Sequence, residues 1–492
     1  MNLLDRVISW ISPSSGLRRE RARMAARSLR TYDAAATDRR GIAWTAGNTS
    51  ADSEIQRSLP ALRNRSREQI RNNPYAARAA SAWTAALIGT GITAKLSSGQ
   101  TLWEQWLKEC DDDGLLDFYG LQALVCRTVF ESGEAIIRLR WTTPDEGMAI
   151  PLRIRVLEPD HLDSLKTSEL SGGRYIDSGI EFDASGRRVA YWLFDQHPGS
   201  MIPISRSLQS RRVDAQDVIH VFERLRPGQN RGVPRLSPSL LKLRDIADYE
   251  ESELLRKGIE SCFAAFVTSD GAGTYAGTGP IKSTDRDVAS TIPLEGISSG
   301  TIKYLSPGES ITFGSPSPAT GYNEFLTQQL HSLATGIGIT YQMLTGDLSR
   351  ANYSSMRGGK LEFRRVAEQY QWHTLIPQFC DAVASSWRKA AIIGGAGRAG
   401  RAAFEWTPPK WDFVDPLKDA SGVILELAAG LTSWEEEARR RGWTPEKLLD
   451  EIKANQEAFK TAGITIQWDQ LLLGAMASQN QMTSNMDTSA NA

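Results

Sequence analysis

Several stretches of the 492-residue chain place residues at spacings that chemistry uses. Gly395-Ala396-Gly397-Arg398-Ala399-Gly400 satisfies G-x-G-x-x-G, the turn that brings backbone amides against a pyrophosphate. That fingerprint needs a strand before it and a helix opening at its third glycine. Here a helical pattern ends just before it and Pro408 stops any long helix after it, so a flexible loop is expected. Gly296-Ile297-Ser298-Ser299-Gly300 matches G-x-S-x-G, but a nucleophile elbow enters a helix, whereas a strand pattern follows this serine and no His and acid partners are visible. Glu109-x-Asp111-x-Asp113-Gly114 imitates half of a calcium loop, yet its twelfth position falls on Gly120, where a bidentate glutamate is required. The histidines, 161, 197, 220, 331 and 373, show no H-x-H or H-E-x-x-H spacing, so each is expected to be a satisfied polar residue. Gly359-Lys360-Leu361 lacks the glycine spacing and the hydroxyl of a P-loop. The residues therefore assign no catalytic group, metal or cofactor, and the chain reads as a non-enzyme.

Composition narrows the class further. At 41% hydrophobic and 23% charged residues the chain is globular, and its length suggests about three structural units. Lys+Arg number 57 against 58 Asp+Glu, a formal net charge of −1, which disfavours tight binding through phosphate neutralisation. The four cysteines, 110, 126, 262 and 380, have no C-x-x-C spacing, so a reducing cytosol fits best. No apolar run approaches a membrane span, and the N-terminal residues lack the pattern of a cleavable signal, so no membrane association is expected.

The elements that must carry any function follow from periodicity. Leu3, Leu4, Val7, Ile8 and Ile11 form a short amphipathic helix, and six arginines between 18 and 30 open an extended arm that runs to about residue 59. Arg67 to Leu87 reads as one helix in spite of Pro74, closed by Gly89-Thr90-Gly91; a second holds Trp103 and Trp106. From 130 to 225 the period falls to two, with strands at Leu152–Val156, Val189–Phe194 and Val218–Phe222. Ser239 to Ser261 is one uninterrupted helix whose apolar face is Leu240, Leu243, Ala247, Leu254 and Ile259 and whose remainder is acidic. A mobile 269–280 stretch and two short strands, Thr301–Leu305 and Ser310–Phe313, precede a helix marked by Tyr322, Phe325, Leu326, Leu330, Leu333 and Ile337. A loop at 345–359 leads into a long helix, Leu361 to about Ile393, kinked at Pro377. Ser433 with Glu436, and Thr444 before Pro445, start the helices of a small C-terminal bundle, and the chain is disordered from about 478. The fold class is α+β, and the absence of chemistry points to a structural or assembly protein.

Particular strings carry more than this. Arg71-Asn72-Asn73-Pro74-Tyr75-Ala76, Gly89-Thr90-Gly91-Ile92 and Asp117-Phe118-Tyr119-Gly120-Leu121-Gln122 follow one another. Leu157 to Leu162, Gly179 to Asp183, Arg187 to Trp192, Val218 to Phe222, Arg226 to Gln229, Gly232 to Pro234, Asn352 to Ser355 and Leu361 to Arg365 continue the series. In number and order they resemble the lambda-type family of bacteriophage portal proteins over roughly residues 60–470.

That resemblance implies a homo-oligomeric ring, usually of twelve subunits, at one vertex of a phage or prophage head, through which double-stranded DNA is packaged and later ejected. It divides the chain into an N-terminal arm (1–59), a mixed α/β wing (60–235), stem helices (236–262 and 320–344) and a β-containing clip between them (263–319). A tunnel loop (345–359), a long helix returning through the wing (360–414), a helical crown (415–477) and a disordered tail (478–492) complete it. The implied partners are the subunit itself, double-stranded DNA without sequence preference, the terminase large subunit, the major capsid protein with its scaffold, and head-tail connector proteins. The implied location is the virion, with host cytoplasm during assembly. Arg350, Asn352 and Arg357 would face DNA from the tunnel loop, and the stem acids Asp245, Asp248, Glu250, Glu251 and Glu253 would line the channel or pair with neighbouring subunits. A non-portal head-tail adaptor ring is the alternative, disfavoured by the length of the chain; a metal-dependent hydrolase using Ser298 or Asp111 and Asp113 stands further off.

Overall fold

The structure, a computed structural model, describes residues 47–200, 209–261, 265–269, 309–313, 321–349, 352–411 and 416–464. The chain divides after Glu54; of the first unit only 47–54 are described, and all that is described from Ile55 onward belongs to the second. Helix α1 (Ala51–Asn72) and helix α2 (Pro74–Ile88) replace the single expected helix, and residues 51–59, read as part of an arm, are helical. The break is chemical: Pro74 has no amide to donate, and the Asn73 carboxamide accepts from the amides of Tyr75 (3.0 Å) and Ala76 (3.3 Å), so it restarts the helix as an N-cap.

Strand β1 (Thr93–Leu96), helix α3 (Gln100–Trp106) and helix α4 (Phe118–Ser132) lead to the central strand β2 (Glu134–Trp141). β2 pairs antiparallel with β3 (Leu152–Leu157) on one side and β9 (Val218–Phe222) on the other. Between β3 and β9 the chain lays down a second, five-stranded antiparallel sheet in sequence order: β4 (Ser168–Glu169), β5 (Tyr175–Asp177), β6 (Ile180–Phe182), β7 (Arg188–Phe194) and β8 (Ser210–Asp214). Alternation along β2 serves two cores. Ala135, Ile137 and Leu139 join the main core, whereas Ile136 joins a smaller one with Leu162, Ile180, Phe182, Tyr191, Leu193 and Val218.

Helix α5 (Leu240–Ser261) follows, then β10 (Ala265–Ser269), which pairs antiparallel with β11 (Glu309–Phe313). The β11 strand matches the expected Ser310–Phe313, while β10, its partner, carried no recognised signal; Thr301–Leu305, the 269–280 stretch, the first 46 residues, the Gly296–Gly300 motif and the tail lie outside the described residues. Helix α6 (Tyr322–Ile337), helix α7 (Tyr341–Thr345) and helix α8 (Tyr353–Tyr370) come next. The expected kink at Pro377 is a ten-residue π-helical segment, Gln371–Cys380, continuous with helix α9 (Asp381–Ile393). Strand β12 (Phe404–Thr407) pairs with β1, and helices α10 (Pro416–Ala428), α11 (Trp434–Arg440) and α12 (Pro445–Thr461) end the described chain.

Aromatic burial organises the main core. Trp103 stacks on Trp106 at 5.0 Å and meets Trp387 edge-on at 5.5 Å and Phe404 at 5.1 Å, so α3, α9 and β12 converge on one side chain. Gly91 makes the approach of α4 possible: at φ +116°, a Cβ there would lie 2.3 Å from the Tyr119 ring.

Candidate functional site

The acidic helix α5 and its antiparallel neighbour α6 form a hairpin of helices. Ser239, just before α5, lies against Gly336, Lys242 donates to the Ser332 hydroxyl at 2.6 Å, and Tyr249 stacks on Tyr322 at 5.7 Å. Leu240, Leu243 and Ile246 bury the facing stripe against Leu330, Leu333, Ala334 and Ile337. Leu254, expected on the same apolar face, is 73% exposed, because the described part of α6 ends level with Tyr249 and nothing described covers the later turns. The Ile259 side chain lies outside the described residues.

Of the five acids of α5 that the resemblance singled out, three are held within the chain. The Asp248 carboxylate is 3.8 Å from Arg244, Glu253 accepts two bonds from Arg256, and Glu250 accepts from the Tyr75 hydroxyl at 2.9 Å. The Arg256 bonds hold the Glu253 carboxyl below its usual range, and burial, reinforced by Glu250, pushes the Tyr75 phenol up. Tyr75 thereby ties α2 to α5. Asp245 and Glu251 are exposed, with no ion-pair partner among the described residues. Arg244 and Arg256, two cations that could otherwise have served a neighbouring copy, are engaged within this chain.

What anchors the entry to α5 is a buried cluster that the sequence reading missed. Glu134, fully buried at the start of β2, accepts from Arg231 (Nη2, 2.5 Å; Nε, 3.0 Å), Arg63 (2.8 Å), His220 (3.0 Å) and the amide of Gly232 (2.9 Å). Burial alone would raise its carboxyl, but Arg231 and the His220 bond outweigh it and hold the group well below the carboxylate range. Burial pushes His220 the other way, down, against the pull of Glu134. The only local trace was glycine: Gly232 presses on Gly133, where a Cβ would lie 2.0 Å from the Gly133 carbonyl oxygen. Just upstream, buried Gln229 shapes the loop 223–228. Its Oε1 accepts from the amides of Leu225 (2.8 Å) and Arg226 (3.1 Å), and its Nε2 donates to the carbonyls of Arg231 (2.8 Å) and Glu223 (3.4 Å).

The loop after α7 is shorter than expected. Helix α8 starts at Tyr353, so residues 353–359 are helical and not part of the expected loop. The cause is Asn352, whose Oδ1 accepts from the Ser355 amide at 2.7 Å while the Ser355 hydroxyl accepts from the Asn352 amide at 3.2 Å, a reciprocal capping box that extends the helix backwards. Arg357 therefore sits in the first turns of α8, and its guanidinium bonds the Asp419 carboxylate of α10 at 2.9 Å. Arg350 lies outside the described residues.

The motifs with chemical spacing resolve into structure. The Asp111 carboxylate accepts from the amides of Asp113, Leu115 and Leu116, Asp112 pairs with Arg140, and Asp113 is 3.6 Å from Arg155, so the calcium-like acids are spent on backbone and arginine. Gly394 and Gly395 end α9, and Gly400 is pressed under Ile392, with no strand before them. Cys110, Cys126 and Cys380 are buried and free, and burial pushes their thiols up. Glu158, Asp160 and His197 converge within 4.8 Å, and the Arg67 guanidinium already bridges the two carboxylates at 3.1 and 2.6 Å. No helix among the described residues is long and apolar enough to cross a membrane.

The described chain thus holds a mixed α+β body and a pair of antiparallel helices, α5 and α6. The family described as "Phage portal protein, lambda family" matches residues 37–371. The chain belongs to the lambda family of phage portal proteins. The probable portal protein of Halomonas phage phiHAP-1 is 26% identical over 462 residues, covering 88% of each chain. Portal protein B of Escherichia phage lambda is 22% identical over 342 residues, 63% of each. Among solved structures, the neck of a native gene transfer agent particle computed with C12 symmetry aligns at a TM-score of 0.46 and 16% identity, over 79% of this chain and 94% of that one. An HK97 family phage portal protein from Corynebacterium diphtheriae aligns at 0.33 and 10% identity, over 76% and 99%. In this portal protein Asp245 and Glu251 on α5 are the exposed acids of the five that have no ion-pair partner among the described residues.

Proposed function

We propose that copies of this portal protein close into a ring at one vertex of a phage or prophage head, and that double-stranded DNA passes through its axis in packaging and ejection. In this reading α5 and α6 are the stem, the β10 and β11 ribbon belongs to the clip, residues 346–352 are the tunnel loop, and α10 to α12 form the crown. The observation that carries it is the family match over 37–371, which takes in both helices and the insertion between them. A conduit must enclose DNA without holding it, and affinity climbs steeply with each phosphate neutralised, so bare carboxylates suit its wall. Asp245 and Glu251 lie about 120° apart around α5, at about 100° per residue, so one of them faces the axis and the other a neighbour. We assign Glu251 to the channel. Arg350 would offer the axis a contact to phosphate that reads no base.

The wall carries no engine, so translocation would draw on the terminase docked at the clip, with head-tail connector proteins taking its place after packaging and capsid protein and scaffold surrounding the wing. The vertex of the virion would be its final location, reached from the host cytoplasm. Imaging purified protein by negative stain tests the core of the proposal: annular particles with an axial hole are expected, and a subunit that stays monomeric at every concentration overturns it.

A further inference from the structure

Two patches of opposite charge, each centred on an exposed leucine, lie near the end of the helical hairpin where α5 begins and α6 ends. The first is the loop 223–228. Gln229, 2% exposed, ties down its backbone through both ends of its carboxamide, so the tip is held in one shape and presents Arg224, Leu225 and Arg226 to solvent, with Leu225 68% exposed. The second is the outward face of α5. Leu241, 71% exposed, stands one helical turn before Asp245, and Asp248, Ser252 and Leu255 continue the same stripe, diametrically opposite the buried one. Arg244 beside it is engaged with Asp248. Neither Arg224 nor Asp245 has an ion-pair partner among the described residues.

Arg235 fixes the loop relative to the helical hairpin. Its guanidinium bonds the Glu223 carboxylate at 2.8 Å and the Ile337 carbonyl at 2.9 Å, placing the loop beside the end of α6, where Gly336 meets Ser239 at the start of α5. In a cyclic ring each subunit meets the next through two different surfaces, and two complementary patches near one end of the hairpin can supply such a heterologous pair.

We infer that the loop 223–228 of one copy docks on the outward face of α5 in the next copy, Leu225 against Leu241 and Arg224 against Asp245. The inference rests on the ring proposed above and identifies a heterologous contact that closes it. An apolar side chain beside a cation on one surface and beside an anion on the other is self-consistent recognition, and burying the leucines shields the ion pair from solvent. The same contact repeats at every interface, so a modest loss at each is multiplied around the ring.

The experiment compares ring assembly of the wild type, Arg224→Glu, Asp245→Lys, the double variant and Leu225→Ser, by sedimentation velocity and negative stain, with circular dichroism to verify folded subunits. Each charge reversal is expected to lower the ring fraction at least tenfold, Leu225→Ser to lower it without changing the net charge, and the double variant to restore it. Wild-type assembly by Arg224→Glu or by Asp245→Lys overturns the inference, as does a double variant as defective as the singles. Normal rings of Arg224→Glu that package less DNA also overturn it, and assign the loop to nucleic acid. A wild type that forms no rings refutes the ring itself, a result separable from the others.

Discussion

Replacing Glu134 by glutamine keeps the size of the side chain and removes its charge, leaving the Arg63 and Arg231 guanidinium groups, both almost fully buried, facing an amide. Taking one partner out of a buried ion pair costs ~3–5 kcal/mol, because the other charge stays desolvated. Arg231→Met is milder in this geometry. Glu134 then keeps Arg63 at 2.8 Å, His220 at 3.0 Å and the Gly232 amide at 2.9 Å, so the loss is that of charged hydrogen bonds, ~1.5–3 kcal/mol. The double variant removes the anion and one of its two cations together, and its cost should fall short of the sum by at least ~1 kcal/mol. Equilibrium urea unfolding followed by tryptophan fluorescence, at one protein concentration throughout, measures all three. Arg231→Met as destabilising as Glu134→Gln, or a cycle additive within ~0.5 kcal/mol, refutes the claim that one carboxylate compensates both arginines.

The same cluster sets an acid limit. Folded-state pKa values of both Glu134 and His220 are lowered, so the unfolded chain binds the extra protons: stability is full above the unfolded value of each group and falls as pH drops below it, first through His220 below about 6.5 and later through Glu134. Thermal midpoints should fall between pH 7 and 5, with a shallower slope in His220→Gln; an unchanged slope rejects the assignment. Arg350→Glu should leave rings intact and reduce DNA packaged or retained, read as DNA per particle; unchanged packaging refutes the tunnel-loop assignment. Arg357→Glu breaks the bond to Asp419, a part-exposed pair worth about 1 kcal/mol or less, and should speed hydrogen exchange in α10 without unfolding the core. Gly91→Ala should destabilise by ~1–3 kcal/mol, since its Cβ would lie 2.3 Å from the Tyr119 ring; a wild-type melting curve would show that α4 can yield.

Local spacing made much of the fold legible. The helix expected from Ser239 to Ser261 runs from Leu240 to Ser261, Val218–Phe222 is a strand over those same residues, and β3 and β7 fall within a residue of their expected bounds. These elements are written in periods of 3.6 and 2, which a chain displays whatever surrounds it. The ordered strings that resemble portal proteins likewise belong to the sequence alone, and the family match agrees with them.

Tertiary structure decided what each charge is for. Arg63, Glu134, His220 and Arg231 come from four segments spread over 168 positions, and no spacing encodes their meeting. Arg357 sits in a stretch that reads as a loop with a free cation, but a two-residue capping box at Asn352 makes it helical and Asp419, 62 residues on, takes its charge. Asp245 and Glu250 look equivalent along an acidic helix; only packing gives one to Tyr75 and leaves the other in solvent. Periodicity reports which face of an element is apolar, whereas the partner of a polar group depends on which elements the cores bring together. That is a property of the folded chain, because those partners are far apart in sequence and close only once the apolar faces have been buried.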